Sequence, residues 1–170
     1  MIKTLALDKT KITSLVYFAT LLGVSIIAPL FHFQPITGPI VNACLFIATA
    51  LLGVQAGIML GLLPSLVALS VGTLPTPLAP MVPFIMASNA IMVVVFASVR
   101  HMSDTVAIIS ASVLKFLFLF STSYIVIHLI TQKPIAQKAA TVMSWPQLTT
   151  ALLGGLLAFA FLKVLHNQKS

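Results

Sequence analysis

Apolar residues run along this chain in long stretches, broken at intervals by prolines, glycines and single basic residues. A bilayer crossing takes about 20 mostly apolar residues, so stretches of that length read as membrane spans. The first predicts a helix over 12–31, ending at Pro29 and the polar run His32-Phe33-Gln34-Pro35. Residues 39–72 stay apolar for roughly 34 positions, too many for one crossing of about 17–25. They should fold as a hairpin. Gly53-Val54-Gln55 is the best place for its turn, because glycine permits the bend and Gln55 is the stretch's only long polar side chain. Helices over 39–53 and 56–72 follow. The segment Leu74-Pro75-Thr76-Pro77-Leu78-Ala79-Pro80 is read as a connection, since each proline lacks an amide donor and clashes with the preceding turn. The pattern then predicts helices over 81–99, 105–131 and 147–166. The expected fold is an all-α membrane protein, a compact bundle of six transmembrane helices forming one domain over 1–170.

Composition supports that class: 59% of residues are hydrophobic and only 6% charged, too little polar surface to cover a water-soluble globule. The net charge of +7 raises the question of nucleic acid, but the basic residues are scattered singly between apolar runs and line no face. They serve better as topology signals. With six crossings and the N-terminus inside, Lys3, Lys9, Lys11, Arg100, Lys163 and Lys169 fall on the inner side, with only Lys133 and Lys138 outside. The bias predicts N-in and C-in. The first 11 residues are too polar to form the apolar core of a cleavable signal, so helix one is expected to anchor the chain. Cys44 is the only cysteine, which rules out a disulfide within the chain and a cysteine-ligated cluster.

Against this apolar background a few polar residues stand out. Lys115 lies about halfway along the fifth span, where a charge costs at least ~2.5–3.5 kcal/mol in hydrocarbon. Counting at about 1.5 Å per residue puts Asn89 of helix four near the same depth. An ammonium and a carboxamide at one level of adjacent antiparallel helices can bind a ligand carboxylate, carbonyl or ring nitrogen. Alternatively Lys115 snorkels to the headgroups and Asn89 bonds another helix. Thr122 projects with Lys115, Phe118 and Leu119, whereas Ser121, Tyr124 and His128 project on the opposite side near an interface. Trp145 and Gln147, at the start of helix six, read either as a stacking contact for a flat ligand or as an interfacial anchor. Asn42, one turn into helix two, lies near Gln34 and Thr37 of the first outward connection; it either reaches ligand from above or braces that connection.

Small residues recur at four-residue spacing in Gly53/Gly57/Gly61, Ala19/Gly23 and Ala151/Gly155, each a groove for close helix contact. Catalysis finds little support. Asp8 and Asp104 are the only acids and both fall at the predicted inner surface, so no intramembrane carboxylate pair exists. The four histidines lack the spacing of a metal motif, and no phosphate-cradling glycine loop occurs. The chain is read as no enzyme, with no cofactor and no metal site.

The overall plan, the segment Gln34-Pro-Ile-Thr-Gly-Pro-Ile-Val-Asn42, the Gly53-Val-Gln-Ala-Gly57 and Gly61 series, and Leu78-Ala-Pro-Met-Val-Pro-Phe84 leading to Ser88-Asn89 resemble the S components of energy-coupling factor (ECF) transporters. The resemblance covers most of the chain. It implies a multi-pass protein of the cell membrane that captures a vitamin or related nutrient in an outward-facing pocket, built by helices four to six and the connections after helices one and three. It also implies docking on a membrane T subunit through small residues of helix one, with two ATPases supplying energy. Ala19-Thr-Leu-Leu-Gly23 is similar to the family's alanine-x-x-x-alanine pattern, with glycine in place of the second alanine. The expected substrate contacts are Asn89, Lys115, Asn42, Gln34, Thr122 and Trp145; the expected partner contacts are Ala19 and Gly23. The rival readings are a stand-alone permease or channel, which would show repeated halves or a polar path between the two faces, and a structural or assembly subunit packing by its glycine grooves.

Overall fold

The computed structural model describes residues 9–31, 33–70, 72, 76–129, 141 and 143–168. Six α-helices run through them: α1 (Lys9–Ile27), α2 (Gln34–Leu52), α3 (Val54–Ser70), α4 (Val82–Val99), α5 (Asp104–Leu129) and α6 (Trp145–Asn167). Two 3-10 turns, Ala28–Phe31 and Thr76–Met81, follow α1 and precede α4. All helices but α3 are long and apolar enough to cross a membrane, and α3 has 17 residues. Lys133 and Lys138, used to orient the bundle, lie outside the described residues.

The helices alternate in direction. One end of the bundle therefore carries Lys11, Leu51, Arg100, Asp104, Lys163 and His166, and is called the basic end here. At that end Arg100 holds the α4–α5 turn: its Nε donates to Asp104 at 2.8 Å and a terminal nitrogen donates to the Ala50 carbonyl at 3.1 Å. The opposite, proline-rich end carries the starts of α2, α4 and α6, each with proline in its first turn. Proline suits that position because its missing N–H is one that a helix start leaves unbonded anyway.

This tolerance corrects one boundary. α2 begins at Gln34, not at residue 39, because Pro35 fits the first turn and the amides of Ile36 and Thr37 both donate to the Phe33 carbonyl at 3.0 Å. Gln34 and Thr37 thus belong to α2, not to a loop over the bundle. Thr37 donates its hydroxyl to the Ala28 carbonyl at 3.1 Å and ties α2 to the end of α1. Asn42 moves correspondingly deeper, to about 12 Å from the helix start.

α2 is the most buried span and α1 the least. α2 packs on α1, α3, α4 and α6, and α5 closes the ring between α4 and α6. Gly53 alone makes the turn from α2 to α3, with a φ of 94° that side-chain-bearing residues rarely adopt. Glycines also set the helix separations. A Cβ on Gly154 would stand 2.6 Å from Asn42 Cβ and 2.7 Å from the Pro39 carbonyl oxygen, and one on Gly61 would stand 2.9 Å from Asn89 Cβ. Gly57 lies against Thr49 and Val93, and Gly155 against Ile108. Gly57, Gly61, Ala151 and Gly155 therefore serve packing within the bundle.

Candidate functional site

Lys115 is 3% exposed, and its ammonium turns into the bundle. It donates to Asn42 Oδ1 at 2.6 Å and to Asn89 Oδ1 at 2.8 Å. Asn89 in turn donates its Nδ2 to the Gly61 carbonyl at 2.8 Å. Side chains of α2, α4 and α5 and a backbone carbonyl of α3 thus meet at one point.

The sequence builds this point locally. Gly61 lets α3 approach until its carbonyl reaches Asn89, and Gly154 lets α6 lie against the backbone of α2 beside Asn42. The bond to Gly61 turns the Asn89 oxygen toward the ammonium, and Lys115, with three donors and no acceptor, takes both carboxamide oxygens. A Gly61→Ala change drives a methyl group onto Asn89 Cβ, which cannot swing aside as a flexible chain end would. The expected cost is about 1–3 kcal/mol of stability. Thermal unfolding of the purified variant checks it, and an unchanged midpoint would contradict this packing.

Apolar layers bracket the cluster. One helical turn toward the proline-rich end, Leu119 follows Lys115 on α5 and Ile85 precedes Asn89 on α4; both pack in a group with Met81, Phe84, Val126 and Met143. Toward the basic end lie Leu45, Phe46, Leu60, Met92 and Phe96, with the Phe46 and Phe96 rings edge to face at 4.9 Å. Ser112, three residues before Lys115, has a fully buried hydroxyl without a hydrogen-bond partner among the described residues. Among the described residues no acid neutralises the Lys115 charge locally. Asp104 pairs with Arg100 about 16 Å away along α5, and Asp8 lies outside the described residues. A hollow of about 430 Å³ lined by Leu51, Arg100, Asp104, Phe159, Lys163 and His166 opens at the basic end, at that same remove from Lys115.

Of the residues singled out in the sequence, Lys115, Asn89 and Asn42 come together, while Gln34, Thr122 and Trp145 do not join them. Gln34 is exposed in the first turn of α2. Thr122 donates its hydroxyl to the carbonyls of Phe118 and Leu119 in its own helix, at 2.8 and 3.2 Å. Trp145 is 67% exposed and stacks on Phe116 at 5.3 Å between centroids. That placement suits an interfacial ring, which keeps one edge wet. Ser121 and Tyr124 are exposed on the other side of α5, and the side chain of His128 lies outside the described residues. The structure adds Gly154, Met81 and Met143; the Gly154-Gly155 pair in the last span is the sequence signal for the first, Met81 falls in the Leu78–Phe84 segment that carries the resemblance, and nothing local marks Met143.

Fold and site together define a multi-pass helical membrane protein with one ammonium-centred polar cluster between two apolar layers. The family described as "ECF transporter, substrate-specific component" matches residues 13–166, and the chain belongs to that family. It is thus a substrate-specific component of a transporter. Comparison with curated proteins and with solved structures gives no match.

Proposed function

We propose that this chain captures a small water-soluble nutrient, a vitamin or related compound, from the outer side of the cell membrane, with Lys115, Asn42 and Asn89 as its anchor. The observation that carries the reading is the ammonium held between two carboxamides in the bundle core. Burying a cation there is costly, and such residues mark a ligand path by default. An enclosed site also strengthens each polar contact, because water does not compete.

The proline-rich end faces outward in this account, and the basic end faces the cytoplasm, as the lysine and arginine bias favours. Ligand enters by parting Met81, Phe84, Leu119 and Met143, and the packed layer around Phe46 and Phe96 blocks passage onward. A closed floor suits capture better than conduction. Release then depends on a T subunit and two ATPases. For their docking we propose the stripe Ile12, Val16, Ala19, Gly23 and Ile27 on α1; apart from half-buried Gly23 these residues are exposed, and no atom lies within 4 Å of where a Gly23 Cβ would stand. The opposite side of α1, with Phe18, Leu21 and Leu22, packs on the core.

Uptake assays in proteoliposomes test the whole reading. The chain reconstituted with its T and ATPase subunits is expected to accumulate ligand only when ATP is supplied, and the chain alone is expected to bind without accumulating. Accumulation by the chain alone would identify a permease instead.

A further inference from the structure

Resting on that reading of the site, we infer that the nutrient is a compact monocarboxylate, seated with one carboxylate oxygen on Lys115 Nζ and the other on the Asn42 amide nitrogen. The free valences at the cluster carry the inference. An ammonium has three donors, and Lys115 spends two of them, on Asn42 and Asn89. The oxygens of both carboxamides are engaged by the lysine. What Asn42 has left is its NH2 group, which makes no hydrogen bond to a described residue. Asn89 is tied through its own NH2 to Gly61. The cluster thus offers a newcomer the third ammonium N–H of Lys115 and the NH2 of Asn42, beside two carboxamide oxygens that each already accept one bond from the lysine.

Charge points the same way. The chain has two acids in all; Asp104, the one among the described residues, is tied to Arg100 about 16 Å along α5 and does not neutralise Lys115. A buried cation without a counter-charge is most stabilised by an anion that reaches it, and charge-assisted hydrogen bonds are about twice as strong as neutral ones. A neutral amide or ring edge accepts the same N–H bonds but brings no charge to the ammonium, so it forms the weaker, neutral-acceptor contact. Ser112 does not change this count, since its hydroxyl is sealed one turn below the lysine. The rest of the molecule meets Met81, Phe84, Ile85, Leu119 and Met143, none of which offers a second ionic partner. One negative charge and a modest apolar body fit.

The test uses matched pairs that differ only at the acid: nicotinate and nicotinamide, lipoate and lipoamide, biotin and biotinamide. Each is titrated into the purified full-length protein and into Lys115→Gln, which keeps a hydrogen-bonding side chain but loses the charge. The expected result is binding of at least one acid, with its amide about 10–100-fold weaker on wild type and that preference collapsing in the variant. Fragmentation of the small molecule retained on purification should show loss of carbon dioxide. A retained compound without a carboxylate, or amides bound as tightly as acids, overturns the inference. If no acid binds while the protein still assembles with T and ATPase subunits, the carboxylate is wrong and the proposed nutrient-capture role stands; if assembly fails too, that proposed role falls with it.

Discussion

A Lys115→Met protein is expected to fold and to lose its ligand, with affinity falling about 100-fold or more. Methionine matches the length of the lysine stem and removes a buried charge, and replacing buried ions by apolar groups of similar size is often neutral or stabilising. Two carboxamide oxygens are left without their donor, at about 1–3 kcal/mol, partly offsetting that gain. Binding has no such compensation. A hydrogen bond to a charged group contributes about 1.5–3 kcal/mol, and the loss of the charge itself adds to this. Calorimetric titration with the retained ligand, alongside a thermal melt to verify folding, checks both halves. Near-wild-type affinity in a folded variant would mean that Lys115 serves only to hold helices together.

The second large effect concerns assembly. A Gly23→Phe variant is expected to bind ligand as wild type does and to fail to co-purify with the T subunit. Space beside Gly23 is open within the chain, so the ring meets no obstacle in the isolated bundle. In a close helix crossing the same ring holds the partner backbone away, where small residues permit contact. Ala19→Phe, one turn away on the same stripe and exposed, should behave alike. A full complex recovered with both variants would move the docking surface off α1.

Much of the bundle is legible from apolar run lengths alone, because a bilayer imposes nearly fixed span lengths and leaves few alternatives. The meeting of Asn89 and Lys115 also follows from counting residues inward from two helix ends. Asn42 does not, for a reason local to α2: Gln34-Pro35 and Gly38-Pro39 look like a loop, yet Pro35 fits a first turn and Pro39 is absorbed inside the helix. Starting the helix at Gln34 carries Asn42 from the rim to the level of the lysine. Trp145 shows the opposite limit. Its type suits a pocket or an interface equally, and only the packing of α6 on α5, with Phe116 beneath the indole, places it at the surface. The hydroxyl of Thr122 illustrates a third case, since a helix carbonyl one turn back is always within reach and competes with any ligand.

The roles of Gly61 and Gly154 depend on contacts between distant segments. A glycine in a span signals close approach without saying what approaches. Here the answers are the Asn89 side chain and the α2 backbone beside Asn42, and Gly61, which sets helix spacing, also aims the Asn89 carboxamide through its carbonyl. Packing and recognition are coupled at this level of the bundle.

The most direct test of the account is a structure of the purified protein with its retained ligand. It should show a ligand oxygen about 2.7–3.2 Å from Lys115 Nζ, with Asn42 and Asn89 still in contact with the amine and the Met81–Leu119–Met143 layer drawn over the ligand. Ligand density at the basic end, beside Arg100 and Lys163, with the Lys115 cluster unchanged and closed, would contradict it.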